Sequence, residues 1–165
     1  MNQSIKLGNF GEQRVIQFLT ENGIKAEKEN DYNKRYDHDL ICSFGRKKFT
    51  IEVKFDAMAC KTGNLAIEYW NSKKDEPSGI TSTKSTFYIY LIRDDTNTTI
   101  WLTKTKDLKD FLADTPPFRI VEGCGDENAD LMLYKTIDIL DKVFHRLETL
   151  SKDEVQKVFR KLLKG

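Results

Sequence analysis

An alternating stretch at residues 49–55 limits the possible folds of this chain more than any other segment. In an extended strand, successive side chains point to opposite faces of the sheet. The phenylalanine, isoleucine and valine side chains of the stretch therefore share one face, which we expect to pack in the core. The other face carries Thr50, Glu52 and Lys54, followed by Asp56. The stretch predicts a strand that is apolar on one side and presents an acid and a base side by side on the other.

The residues before this strand predict a neighbouring strand that opens with a carboxylate. His38–Cys42 has the pattern of such a strand, and Ser43–Lys48, which contains Gly45, is typical of a short hairpin turn. Folding the hairpin back on itself brings Asp39 close to Glu52. Two neighbouring carboxylates repel each other unless a cation lies between them, and oxygen ligands of this kind suit Mg²⁺.

Asp39, twelve intervening residues and then Glu52-x-Lys54 resemble the core motif of the PD-(D/E)XK nuclease superfamily. His38 stands where the family motif has its leading proline. The resemblance covers residues 4–93 and includes an upstream helix with a glutamate, here Glu12. It implies an α/β fold, a restriction-endonuclease-like α/β sandwich with a central mixed sheet flanked by helices. It also implies a divalent-metal-dependent DNA endonuclease that hydrolyses phosphodiester bonds.

The resemblance assigns a role to each residue of the motif. Asp39, Glu52 and the backbone carbonyl of Val53 would hold Mg²⁺ or Mn²⁺. Lys54 would contact the attacking water or the scissile phosphate, and Glu12 would be an outer carboxylate or a ligand of a second ion. The alternative for Glu52 and Lys54 is an ion pair on an exposed strand face, which contributes less than about 1 kcal/mol.

Other polar residues are further candidates for the site. Glu68 lies on the polar side of the next predicted strand, where it is either an additional metal ligand or a surface glutamate. Lys84, with Ser82 and Thr83, precedes a predicted central strand and would contact a phosphate or form a solvated turn. The last predicted helix carries basic residues away from its apolar side, which would bind DNA or only solvate the helix: Lys157, Arg160, Lys161 and Lys164.

Periodicity and turn residues predict the remaining elements. Helices are expected at residues 4–22, 105–113 and 136–147, and after the capping box Ser151-x-x-Glu154. Strands are expected at residues 24–29, 62–70, 86–92, 98–103 and 131–135, whereas the connection at residues 116–125 has no predicted form. In the first helix the apolar arc includes Leu7, and Gly8 and Gly11 beside Glu12 would allow another element to approach closely.

The two histidines are expected to be structural. His38 would face away from Asp39 in the strand, and His145 would lie in the helix at residues 136–147 without an evident partner. Neither has a second histidine or a cysteine at a spacing typical of a metal site.

The length and charge of the chain constrain its organisation and partners. A chain of 165 residues has the usual length of one domain, with the catalytic core predicted at residues 4–93 and a helical elaboration at residues 104–165. The 27 Lys and Arg nearly balance the 26 Asp and Glu, for a formal charge of +1. The chain therefore lacks the overall basic charge of many nucleic-acid-binding proteins, an observation against DNA as a partner.

Cysteine usage and apolar segments bear on localisation. The three cysteines are widely spaced and lack a Cys-x-x-Cys pair, which favours a reducing compartment and argues against a zinc site. The N-terminal residues lack the apolar stretch of a signal peptide, and no run approaches the ~18 apolar residues of a membrane span. We expect a cytoplasmic protein without a membrane-spanning segment.

Several functions are compatible with this motif. The size of the chain, without an appended recognition domain, favours a phage-like or Holliday-junction-resolvase-like enzyme that cleaves branched DNA. A site-specific homing or restriction endonuclease is an alternative, and a non-catalytic nucleic-acid-binding module on the same fold is another. A homodimer is expected because cutting both strands requires two sites. The sequence leaves open the structure of the substrate and whether it is DNA or RNA.

Overall fold

The computed structural model describes residues 3–34, 37–125 and 128–164. Within these residues the helices are α1 (Gln3–Glu21), α2 (Ala59–Thr62), α3 (Thr105–Asp114), α4 (Thr136–Val143) and α5 (Lys152–Leu162). The strands are β1 (Lys25–Lys28), β2 (Leu40–Phe44), β3 (Lys47–Asp56), β4 (Asn64–Asn71), β5 (Glu76–Pro77), β6 (Phe87–Arg93), β7 (Thr98–Lys104), β8 (Arg119–Cys124), β9 (Ala129–Lys135) and β10 (His145–Arg146). Every helix and strand predicted before residue 104 is present, with small shifts at its ends.

The described strands form two sheets. The first has the order β1-β2-β3-β6-β7-β10 and is mixed, because β3 and β6 run parallel while its other neighbouring strands run antiparallel. The second has the order β5-β4-β9-β8 and is antiparallel throughout. Helices pack on the first sheet on both sides. The predicted α/β fold, with a central mixed sheet flanked by helices, is confirmed.

The alternation in β3 produces two different faces. Phe49 and Ile51 are buried in a core that α1 and α5 cover, and Val53 and Phe55 pack against the same core. The polar side chains of β3 lie on the opposite face. That face of the sheet is covered by the second sheet together with α3 and α4.

Strand β6 is buried on both faces, as predicted for a central strand. Phe87, Ile89 and Leu91 point into the core under α1 and α5. Tyr88 and Tyr90 point into the second core, beneath β4. In the parallel register, Glu52 of β3 lies beside Tyr88 of β6. The two side chains are therefore neighbours on the same face of the first sheet.

The second half of the chain differs from the prediction. Residues 119–124 form β8, because they find a hairpin partner in β9. The helix predicted at residues 136–147 ends at Val143, and His145 and Arg146 pair with β7 as β10 instead. His145 is therefore in a strand, and the described residues of the segment 104–165 contain the strands β8, β9 and β10 in addition to the helices α3, α4 and α5.

Corrections in the first half concern α1 and the residue before Asp39. Leu7 is 40% exposed rather than part of the core, and a Cβ atom at Gly8 would meet no other atom within 4 Å. His38 lies before β2 rather than in it, and its Nε2 is 2.9 Å from Glu29 Oε2. The structural role predicted for His38 agrees with this contact. No described helix has the length and apolar character needed to cross a membrane.

Candidate active site

One cavity of about 480 Å³ brings together the acidic and basic residues singled out in the sequence. Its walls come from the N-terminal half of α1, from β3 and from β4, and Tyr88 of β6 contributes to its lining. The residues predicted for catalysis or metal binding that line it are Glu12, Asp39, Glu52, Val53, Lys54 and Glu68. Residues distant in sequence thus converge on one space.

The hairpin of β2 and β3 fixes Asp39 at the edge of the cavity. The antiparallel register pairs Leu40 with Ile51, so Asp39 lies just before the first residue of β2. Its backbone N–H donates to the Ile51 carbonyl at 3.0 Å, and its Oδ2 accepts from the Val53 N–H at 2.8 Å. The N–H and C=O groups of one strand residue point toward the same neighbouring strand. Because the Val53 N–H points toward Asp39, the Val53 carbonyl also points to the side of β3 on which Asp39 lies.

Glu52 and Asp39 form an electrostatically coupled pair. Burial raises the pKa of Glu52 to about 8, and repulsion from Asp39 adds to the rise. Burial also raises the pKa of Asp39 to about 6, with a further contribution from Glu12, although the hydrogen bond from Val53 opposes the rise. The pair is therefore costly to ionise fully unless a cation joins it.

A buried hydroxyl orients Glu52. Thr83 is only 2% exposed, and its Oγ1 lies 3.1 Å from Glu52 Oε2. The same oxygen lies 2.9 Å from the Asp37 carbonyl oxygen and 3.1 Å from Ser85 Oγ. Ser85 Oγ in turn contacts Thr105 Oγ1 at 2.9 Å. The sequence suggested a phosphate contact for Thr83, but its hydroxyl is buried against the carboxylate. Only the packing of the segment before β6 shows this role, which no local pattern predicts.

Lys54 faces a carboxylate from the second sheet. Its Nζ lies 3.6 Å from Glu68 Oε2. Glu68 lies at an irregularity of β4, where the register with β9 shifts between Glu68 and Trp70, and such bulges redirect side chains. Gly79 passes directly over this point with φ of 52°, and a Cβ atom there would lie 2.3 Å from the Glu68 carbonyl oxygen. Glycine at residue 79 thus allows the loop to close over Glu68.

Glu12 forms the α1 wall of the cavity. Its Oε2 lies 2.5 Å from Lys28 Nζ, which also donates to Asn9 Oδ1 at 2.8 Å. The neighbouring Gly11 lets α1 approach β3, because a Cβ atom at this position would lie 3.0 Å from Phe55 Cβ. The close approach predicted for Gly11 is therefore present, and it holds Glu12 beside Asp39.

The candidate DNA-binding residues lie outside the cavity lining. Lys84 is largely exposed, and its Nζ lies 3.0 Å from Asp37 Oδ1. Ser82 Oγ donates to the Gly79 carbonyl at 3.3 Å. On α5, Arg160 donates to Gln156 at 3.0 Å and stacks over a phenylalanine of β2. The basic residues of α5 are thus on the helix that covers the apolar face of β3, and their binding of DNA remains a prediction.

The cavity offers a small set of oxygen donors for a metal. No group of three or more His, Cys, Asp or Glu side chains in the described ranges is arranged to hold a metal ion. Asp39 and Glu52 each use one oxygen in a hydrogen bond within the protein, which leaves the other oxygen for a ligand. Two carboxylates and a carbonyl fit a hard divalent cation that completes its coordination with water and substrate oxygens. Glu12 and Glu68 contact lysines instead.

Comparisons with known proteins add little to this site. No protein-family model matches the chain, and no curated protein matches it. Among solved structures, the chain is similar to that of a bacterial homing endonuclease, I-Ssp6803I, with a TM-score of 0.49 and 14% sequence identity, over 64% of this chain and 71% of that chain. At this level of similarity, the function of the chain has to be argued from the cavity itself.

Proposed function

We propose that this protein is a divalent-metal-dependent endonuclease of the PD-(D/E)XK type that hydrolyses phosphodiester bonds in DNA. The observation that carries the proposal is the half-buried pair Asp39 and Glu52, with raised pKa values, beside the ammonium group of Lys54 in one cavity. Burying two repelling carboxylates costs stability, and a cation that binds between them offsets this cost. A purely structural ion pair between Glu52 and Lys54 does not account for Asp39.

The chemistry divides among the residues of the cavity. When bound, Mg²⁺ supplies positive charge to the phosphate and lowers the pKa of a water molecule. Asp39, Glu52 and the Val53 carbonyl would hold the ion, and the Thr83 hydroxyl contacts the Glu52 carboxyl group. Lys54 would contact the attacking water or a non-bridging phosphate oxygen, where it stabilises the charge that develops in the transition state.

The lysine and the outer glutamates have separate tasks in this scheme. Glu68, on the second sheet, contacts the Lys54 ammonium group. This contact restricts the conformations of the Lys54 side chain before the substrate binds, so less conformational entropy is lost on binding. Glu12 adds negative charge to the cavity wall near Asp39 and would help to position a water molecule or a second cation. We propose both as supporting residues, with Asp39, Glu52 and Lys54 at the centre.

The proposed substrate is branched or double-stranded DNA, cleaved by a homodimer. Cutting two strands requires two cavities, which supports the proposed homodimer. Incubation with a four-way junction, a linear duplex, single-stranded DNA and an RNA hairpin in Mg²⁺ separates these substrates. Cleavage at one defined sequence in a randomised duplex would favour a homing or restriction endonuclease instead.

A matched pair of variants tests the proposal. Asp39→Asn keeps the size of the side chain and an acceptor for the Val53 N–H but removes the charge, so we expect cleavage to fall at least about 10³-fold. Glu21→Gln removes a carboxylate at the end of α1, outside the cavity, and is expected to leave cleavage unchanged. Cleavage by Asp39→Asn at the wild-type rate in Mg²⁺ would refute the proposal.

A further inference from the structure

A second cavity, of about 600 Å³, adjoins the candidate active site. Phe10 of α1 separates the two spaces. Its ring packs edge-on against Phe55, with centroids 5.5 Å apart, and Phe55 lines the active-site cavity whereas Phe10 lines the second one. Phe10 is 44% exposed although it is a large apolar residue. A ligand that crosses the active site is therefore able to continue over Phe10 into the second cavity.

Two arginines in this second cavity differ from the other cations around the site. Arg93, at the end of β6, lies with its guanidinium carbon 5.4 Å from the centre of the Phe10 ring. Arg14 follows Phe10 by one helical turn, which places both on the same side of α1. Neither arginine forms an ion pair with a carboxylate of the described residues. The cations that do form such pairs nearby are Lys28, Lys54, Lys84 and Arg146.

The acidic residues of the second cavity are mostly engaged in other contacts. Asp94 Oδ1 accepts from the backbone N–H groups of Thr96 and Asn97 at 2.8 and 2.6 Å, which closes the turn between β6 and β7. Glu148 pairs with Arg146, and its Oε2 accepts from a backbone N–H of β7 at 2.8 Å. Asp95, at the exposed turn, is the remaining acid. The guanidinium groups of Arg14 and Arg93 are left as donors toward the open space.

We propose that Arg14 and Arg93 bind the phosphate backbone of the nucleic acid beside the scissile bond. We refer to the surface formed by Phe10, Arg14 and Arg93 as the arginine cleft. A guanidinium group matches phosphate oxygens with two parallel hydrogen bonds, and stacking on Phe10 holds Arg93 in place at little entropic cost. The three arginines of the cavity lining balance its three acids, so the cleft offers two directed guanidinium donors rather than an excess of positive charge. This inference rests on the proposed nuclease function, because its ligand is the substrate.

The test measures DNA binding separately from cleavage. A short fluorescent duplex and a four-way junction are titrated with the protein in Ca²⁺ and in EDTA, over a range of NaCl concentrations. The logarithm of the binding constant falls with the logarithm of the salt concentration, and each lost phosphate contact makes this slope shallower by about 1. We therefore expect the slope of the double variant Arg14→Ala/Arg93→Ala to be shallower by about 2. Its affinity at 0.1 M salt should fall about tenfold or more, whereas its melting temperature should change little.

A control and a competing surface make the result decisive. Arg119→Ala/Lys142→Ala removes the same charge from exposed residues outside both cavities and is expected to leave the salt slope unchanged. The inference is overturned if the cleft variant binds like the wild type. It is also overturned if Lys157→Ala/Lys161→Ala in α5, rather than the cleft variant, makes the salt slope shallower. A wild-type protein that neither binds nor cleaves nucleic acid would refute the proposed function itself, which distinguishes the two failures.

Discussion

The two faces of β3 differ in how well their residues satisfy the ordinary rules of protein stability. On one face, Phe49 and Ile51 are buried among apolar side chains. On the other, Glu52 and its neighbour Asp39 are half-buried, and their pKa values are raised above the ordinary range. The strand thus has a well-packed apolar core on one side and, on the other, two neighbouring carboxyl groups whose ionisation is unfavourable. Such a contrast within one strand is typical of proteins that sacrifice stability at a functional site.

The largest effect on stability should come from the apolar face. Phe159 of α5 is fully buried, and its ring centre lies 5.7 Å from those of both Phe49 and Phe87. Phe159→Ala should lower the free energy of unfolding by about 3–5 kcal/mol because it leaves a cavity. Denaturant unfolding measures this loss. Cleavage per folded molecule should persist, and its disappearance in the folded variant would show that the two faces are not independent.

The polar face should respond to pH in the opposite sense from an ordinary carboxylate site. Because the folded-state pKa values of Asp39 and Glu52 are raised to about 6 and about 8, folding favours their neutral forms. Their contribution to stability is complete below pH ~4 and is lost as the pH rises through 6 and 8. The expected loss is on the order of a few kcal/mol without metal.

Glu52→Gln isolates this effect from the other carboxylates of the chain. The variant mimics the neutral acid, so the metal-free difference in unfolding free energy between variant and wild type should grow in favour of the variant between pH 4 and 8. Mg²⁺ at pH 8 should stabilise the wild type more than the variant. A difference that stays constant with pH would mean that Glu52 is ionised and solvated in the folded protein.

Local patterns predicted where Asp39 and Glu52 lie in the fold, whereas their roles in catalysis stay predictions. The period of two fixed which residues of β3 share a face, and the short hairpin placed Asp39 beside Glu52, because both depend on neighbouring residues in the chain. The hairpin of β8 and β9 in the second sheet was not predicted, because residues 119–124 have no clear strand pattern of their own. The two-residue strand β10 at the edge of the first sheet was not predicted either, since it depends on pairing with the distant β7. The contact of Thr83 with Glu52 is another product of tertiary packing.

The surroundings of the cavity were less predictable for the same reason. The arginine cleft lies between α1 and the end of β6. These two elements are far apart in the sequence, because the strands β1 to β5 lie between them. The sequence instead drew attention to α5, where basic residues follow a clear helical pattern. A pattern within one helix is visible in the sequence, but a cleft between two elements is not.

A smaller change in stability, with a change in activity, is expected at Gly79. Gly79→Ala places a Cβ atom against the Glu68 carbonyl and forces a side chain into positive φ, at a cost of about 1–3 kcal/mol. Displacing Glu68 should also slow cleavage because Glu68 contacts Lys54. Gly45→Ala is the control, since Gly45 has φ of 60° and open space around it. Equal effects of both substitutions on cleavage would argue against the role of this loop.

The smallest effects should separate two tyrosines that occupy the same face of β6. The Tyr90 hydroxyl donates to Asp56 Oδ2 at 2.6 Å and accepts from the Ala66 N–H at 3.2 Å, which links three strands. The Tyr88 side chain is 1% exposed and lines the active-site cavity. Its hydroxyl forms no hydrogen bond with the described residues, and Glu52, Glu68 and Asp39 each raise its pKa further after burial. The raised pKa keeps the Tyr88 hydroxyl protonated.

Removing one oxygen atom from each tyrosine tests what its hydroxyl contributes. Tyr90→Phe leaves buried partners unsatisfied and should destabilise the protein by about 1–2 kcal/mol, with cleavage retained below the melting temperature. Tyr88→Phe removes a hydroxyl without a protein partner, so unfolding should shift by less than about 0.5 kcal/mol. If that hydroxyl donates to a phosphate oxygen or to the attacking water, single-turnover cleavage by Tyr88→Phe should fall about tenfold or more while DNA affinity in Ca²⁺ is unchanged. Cleavage by Tyr88→Phe at the wild-type rate would show that the Tyr88 hydroxyl takes no part in the reaction. The chemistry of the cavity would then depend on β3 and Asp39 without β6.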